Sequence, residues 1–244
     1  LNPASTILAV AGVILVAAFV RSSLGFGDAV LAMPLLALLL DLKTAAPLVA
    51  FVGPTISILI LAGHWRKADL KAASKFIVAS LAGIPLGVYG LARLPEKPLQ
   101  IALGSLIVLY GLFGLWKPQA RLTNEKRGLP FLVGFGAGIL GGAYNTNGPP
   151  VVAYGLLKGW DPRRFRATLQ GYFLPTGLAI LAGHGAAGLW TREVVELYAF
   201  SLPGLILGIL AGGMLNKNLG QGRFNRLVYI TLILMGGLLL TKSF

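Results

Sequence analysis

Two groups of polar residues interrupt the long apolar runs of this chain. The first is Arg21, Ser22 and Ser23 with Gly25, Gly27 and Asp28, in the stretch RSSLGFGD; the second is Tyr144, Asn145, Thr146, Asn147 and Gly148, followed by Pro149 and Pro150. A guanidinium presents a planar fork of donors suited to an oxyanion. The hydroxyls and carboxamides beside it are neutral groups able to orient such a ligand. Glycine admits the irregular backbone angles of a break, and a proline pair suits the first turn of a new helix. Helices opening near Asp28 and Gly148 aim unpaired N–H groups and partial positive charge into the breaks. The chemistry these residues share is anion binding without a metal.

Several of them carry a second reading. Asp28 either couples an ion, H⁺ or Na⁺, to the anion, or caps its helix or pairs with Arg21. Arg21 either reaches into the break or snorkels to the surface. Gln170, Thr55 and Thr176 either line a cavity or bond helix to helix, and Pro54 and Pro175 are kinks that can serve as hinges. The two histidines, His64 and His184, each end the tetrapeptide LAGH and stand 120 residues apart. They read as helix-end residues at the membrane interface. With no cysteine in the chain, thiol chemistry and disulfides are excluded. Ser105 has no histidine at its depth and acids are scarce, so the pattern argues against an enzyme and implies no cofactor or metal.

The elements that must position these groups follow from composition. The chain is 56% hydrophobic and 12% charged over 244 residues, where soluble domains carry about 25% charged residues. Apolar runs recur near the ~20 residues that cross a bilayer, and they do not alternate as barrel strands do. The fold class is all-α: a polytopic transmembrane helical protein with about 8–10 membrane segments. The net charge of +13 lies in clusters between the runs, which reads as topology and not as a nucleic-acid surface. No signal of oligomeric state is present. The first run is read as structural, not as a removable signal peptide.

Aligning the LAGH copies also aligns Pro54-Thr55 with Pro175-Thr176 and SLAGIPLG with SLPGLILG. The domains are then a first transmembrane repeat at 1–116, a basic linker at 117–128, and a second repeat at 129–244. Each holds five apolar segments: 6–20, 29–40, 44–63, 72–91 and 99–116, then 130–142, 151–160, 167–183, 194–213 and 227–240. The first two segments of each half are short and flank a break, so the crossings are odd in number and the second repeat is inverted. With the linker cytoplasmic, the cytoplasmic side holds fifteen Lys and Arg, the outer side five, and Arg21 lies in a break. That is a strong positive-inside bias. Inversion puts His64 and His184 at opposite faces, about 30 Å apart, so they cannot share a ligand. Trp65, Trp116, Trp160 and Trp190 fall at segment ends, as an interfacial belt does.

GFGD at 25–28, GGAYNTNGPPVVAY at 141–154 and RFRATLQG at 164–171 resemble the sulfite exporter TauE/SafE family, also called the toluene sulfonate uptake permeases. The resemblance spans essentially the whole chain. It implies a cell-membrane (inner, plasma-membrane) transporter of small sulfur-containing anions, such as sulfite, thiosulfate or organosulfonates, working by alternating access and coupled to an ion gradient, with a passive anion channel as the alternative. Family members often carry a glycine run at the second break. Here Tyr144, Asn145, Thr146 and Asn147 stand there instead, which points to a substrate that accepts hydrogen bonds.

Overall fold

The computed structural model describes residues 3–62, 70–116, 128–160, 162–215 and 221–243. The linker at 117–127, and His64 and Trp65 with it, lie outside the described residues. Every described element is a helix: α1 (Pro3–Leu24), α2 (Asp28–Leu39), α3 (Leu42–Ala62), α4 (Leu70–Arg93), α5 (Glu96–Trp116), α6 (Leu129–Tyr144), α7 (Gly148–Leu157), α8 (Pro162–Ala186), α9 (Arg192–Leu215) and α10 (Gln221–Ser243). Each corresponds to one apolar segment of the sequence. Five of them, in α1, α3, α4, α5 and α9, are long and apolar enough to cross a membrane.

The helix ends explain the short segments. α1 runs 22 residues and closes when Gly25 turns left-handed at φ +88°, its N–H still bonded to the Arg21 carbonyl at 2.7 Å. Gly27 follows at φ +101°, a conformation that side chains oppose. The first break is therefore residues 25–27, and Arg21, Ser22 and Ser23 belong to the last turn of α1 rather than to the break. α6 closes on Asn145, at φ 57°, with its N–H on the Gly141 carbonyl; asparagine is the side chain that best tolerates this cap. The second break is residues 145–147. α2 has 12 residues and α7 has 10, about 18 and 15 Å of helix. Each reaches about half-way across the ~30 Å hydrocarbon layer.

The most extensive helix pairings follow a rule of exchange, from which α2 departs by also packing on α5 and α10. α1 packs along α9 as α6 packs along α4, α3 meets α9 as α8 meets α4, and α5–α10 and α3–α8 pair with themselves. Exchanging the two halves leaves this set of contacts unchanged. Small residues permit it, because helices in lipid associate by close backbone packing. Gly204, Gly208 and Gly212 of α9 lie over the carbonyls of Ala11, Leu15 and Phe19 of α1. Gly83 and Gly87 of α4 interleave with Gly134, Gly138 and Gly142 of α6. Large apolar side chains such as Leu8, Leu109, Leu132, Leu207 and Leu234 point outward, as a lipid-facing surface requires. Trp116 and Trp190 are exposed; Trp160 instead packs against Phe76 and Tyr154.

A Cβ at Gly138 would overlap the backbone of Ser80, whereas one at Gly136, on the same helix, would meet nothing within 4 Å. Gly138→Ala should therefore destabilise the protein by about 1–3 kcal/mol. Gly136→Ala should be neutral or stabilising by up to ~1 kcal/mol. Thermal unfolding of the two variants in one detergent makes the comparison.

Candidate functional site

The two breaks meet. Between them lies a cavity of about 30 Å³, room for one or two waters. The first break supplies Phe26 and Gly27, the start of α2 supplies Asp28, Ala29 and Val30, the second break supplies Asn145, Thr146 and Asn147, and the start of α7 supplies Gly148. α3 and α8 close the sides, with Pro54 and Ser57 from one and Phe173 and Gly177 from the other.

Arg21 is the centre of this site. It is 3% exposed, so it does not snorkel. Its Nη1 donates to Asp28 Oδ1 at 2.8 Å and its Nη2 to Ser57 Oγ at 2.8 Å. The guanidinium carbon stands 4.3 Å from the centre of the Phe173 ring, a cation–π arrangement that strengthens where water is excluded. Nε is buried without a partner, and a buried unpaired donor is costly. Asp28 is the first residue of α2, with Gly27 as its N-cap and no side-chain capping bond. Of the readings open from sequence, it takes the ion pair with Arg21.

Break two is held from several sides. Asn145 Nδ2 donates to the Ala46 carbonyl at 2.6 Å and Asn147 Nδ2 to Thr176 Oγ1 at 2.9 Å. Thr146 Oγ1 makes a long contact of 3.5 Å to the Leu140 carbonyl. The two helix starts are unequal. Asp28, Ala29 and Val30 offer three N–H groups, while Pro149 and Pro150 leave Gly148 alone among the first three residues of α7.

Other residues singled out in the sequence stand outside the cavity wall. Ser22 and Ser23 turn away to α9, bonding the carbonyls of Ile209 at 2.8 Å and Gly212 at 3.3 Å. Gly25 shapes the break without lining the cavity. Tyr144 donates to the Leu99 carbonyl at 3.0 Å. Gln170 lies away from it, its Oε1 buried and unpartnered. Thr55 bonds Tyr198 and the Phe51 carbonyl, and Thr176 bonds the Tyr172 carbonyl. Of the paired prolines, Pro54 lines the cavity and Pro175 does not.

His184 lies in the last turn of α8, as expected, but it is fully buried there, with Nε2 2.8 Å from the Gly142 carbonyl, because the α8–α6 contact covers the helix end. Sequence reading missed Ser57 and Phe173. A lone serine in an apolar helix and a phenylalanine near Pro175 give no local sign that both face Arg21. No group of three or more His, Cys, Asp or Glu able to hold a metal exists among the described residues.

Fold and cavity together define a multi-pass helical membrane protein whose polar centre is built from two interrupted helices. The family model described as sulfite exporter TauE/SafE matches residues 10–239, and the chain belongs to that family. It is 24% identical over 208 residues to a protein of Cupriavidus necator named probable sulfite/organosulfonate exporter TauE, covering 84% of this chain and 81% of that one. No solved structure matches the chain.

Removing one partner of the buried pair should be costly and removing both less so. Arg21→Gln or Asp28→Asn alone should lower stability by about 3–5 kcal/mol. The double variant should recover a large part of that, as read from thermal unfolding in detergent. Additive losses would mean that the pair is not coupled.

Proposed function

We propose that this protein is a secondary transporter of a small sulfur-containing anion, sulfite, thiosulfate or an organosulfonate, in the cell membrane. The observation that carries the reading is Arg21: a buried guanidinium with an unpartnered Nε, in a cavity with the α2 N-terminus and the Asn147 amide. An ionisable residue inside the membrane is by default a candidate for the ligand path. Family membership and the name of the C. necator relative supply the sulfur chemistry.

The halves are inverted repeats, and the site opens to one side and then the other as they rock. The exchange symmetry of the helix pairs supports this, as does the basic bias placing the 117–128 linker in the cytoplasm. α3 and α8 carry the motion, with Pro54 at the cavity wall and Pro175 as its counterpart. The cavity takes at most a bare anionic headgroup, so a sulfonate with an organic tail enters only when it widens. Transport is coupled to an ion gradient. Asn145, Thr146 and Asn147 select the anion by hydrogen bonding.

Two measurements test this. In proteoliposomes, sulfite, thiosulfate or methanesulfonate should show saturable uptake and counterflow, and Arg21→Gln should reduce it by about tenfold or more, the loss of a charged hydrogen bond. If none of these anions crosses, the substrate class is wrong. Because the chain has no cysteine, single cysteines report topology cleanly. Gln119→Cys should react with an impermeant thiol reagent only from the cytoplasm, and Ala187→Cys only from outside.

A further inference from the structure

Arg21 and Asp28 make a neutral pair in the cavity, and an incoming anion upsets that balance. Among the described residues, no other one lining the cavity carries a charged or titratable side chain. α3 and α8 bring the Ser57 hydroxyl and apolar groups, and break two brings two carboxamides and a hydroxyl. On the far side of the first break, α5 and α10 bring the phenols of Tyr110 and Tyr229 to a smaller cavity that shares Phe26, Gly27 and Val30. Asp28 thus has one cationic partner in the cavity, Arg21, whose Nε faces no protein acceptor.

An oxyanion that takes Nε and Nη2 on one edge of the guanidinium, replacing Ser57 on Nη2, makes a bidentate pair while Asp28 stays on Nη1. Asp28 then shares a single cation with a second negative charge in a space that water barely enters. Like charges at such range oppose joint ionisation, and uncompensated charge in a low-dielectric site is the costly outcome. We propose that anion loading on that edge ends the ion pairing of Asp28, which faces Nη1 from the other side, and that Asp28 takes up one proton from the side to which the cavity is then open. This deepens, and rests on, the transporter reading above.

The step balances. An anion and a proton leave water, the Arg21–Asp28 ion pairing ends, and the products are an Arg21–anion pair and a neutral Asp28 carboxylic acid. The proton returns to water when the anion leaves and the internal ion pair is restored. With a monovalent anion the site is neutral in both states, so each can reorient without moving net charge through the bilayer. Anion and proton therefore travel together. The carrier drives anions toward the more alkaline compartment, and it releases them to the acidic side only down their own gradient.

The test uses the full-length protein in liposomes, with membrane potential clamped by potassium and valinomycin. Methanesulfonate and thiosulfate are the probes, since both stay unprotonated near neutral pH and any proton must be carried by the protein. Entry of labelled anion should acidify the lumen, read by a trapped pH dye, at one proton per anion. The initial rate for methanesulfonate should not change with imposed voltage. Asp28→Asn should abolish acidification per anion moved, whatever rate it retains; if it does not fold, the wild-type ratio decides alone. Anion entry without acidification, or a methanesulfonate rate that follows voltage, overturns the proposal while leaving the transporter reading intact. Entry of neither anion overturns both.

Discussion

A helix that stops inside hydrocarbon leaves N–H and C=O groups that no water reaches, and the rest of this structure follows from meeting that constraint. α1 and α6 end, and α2 and α7 begin, where the two breaks face each other. Protein must therefore surround both tips. α3 and α8 do so from the sides, and the outer helices hold the assembly closed through glycine faces that bring backbones together. Replacing those glycines would push α9 off α1 or α6 off α4, and the tips would lose their enclosure. The small residues of the outer helices and the polar residues of the centre are two parts of one solution.

Within that enclosure the Arg21–Asp28 pair is a further demand. Its attraction in a dry site is offset by the cost of taking both ions from water, so such a pair is a poor means of stabilisation. Ser57 and the Phe173 ring recover part of that cost, yet Nε is left without an acceptor. A site built for stability would have closed that donor off. A site with an unpartnered donor on the one cation that lines it among the described residues is one in which an anion improves the local balance. The same accounting explains why uncharged carboxamides, not further cations, form the opposite wall.

Much of this was legible in one dimension. All ten segments of the sequence became helices, their ends shifted by a few residues, because the apolar length needed to cross a bilayer is a property of the chain alone. The breaks were legible because Gly25, Gly27 and Asn145 take left-handed angles and because polar residues inside apolar runs are rare. The site was legible only in part. Arg21, Ser22 and Ser23 look alike in sequence as one polar cluster, but about 100° of rotation separates neighbours on a helix. One therefore enters the cavity while the other two bond α9. His184 reads as a helix-end residue, and only the fold shows that α6 covers it.

The sequence by itself determined the class of the fold, the number and place of its segments, the two interruptions and the residue types available at each. These depend on hydrophobic length and on the local conformational freedom of glycine, asparagine and proline. Only the tertiary structure decided which polar groups share the cavity, that Asp28 pairs with Arg21 instead of capping α2, and that Ser57 and Phe173 complete the cation's surroundings. Those choices rest on how each helix is turned about its axis. That turn is set by packing against segments up to some 190 residues away, as the Ser23 contact with Gly212 at |i−j| = 189 illustrates, and no local pattern records it.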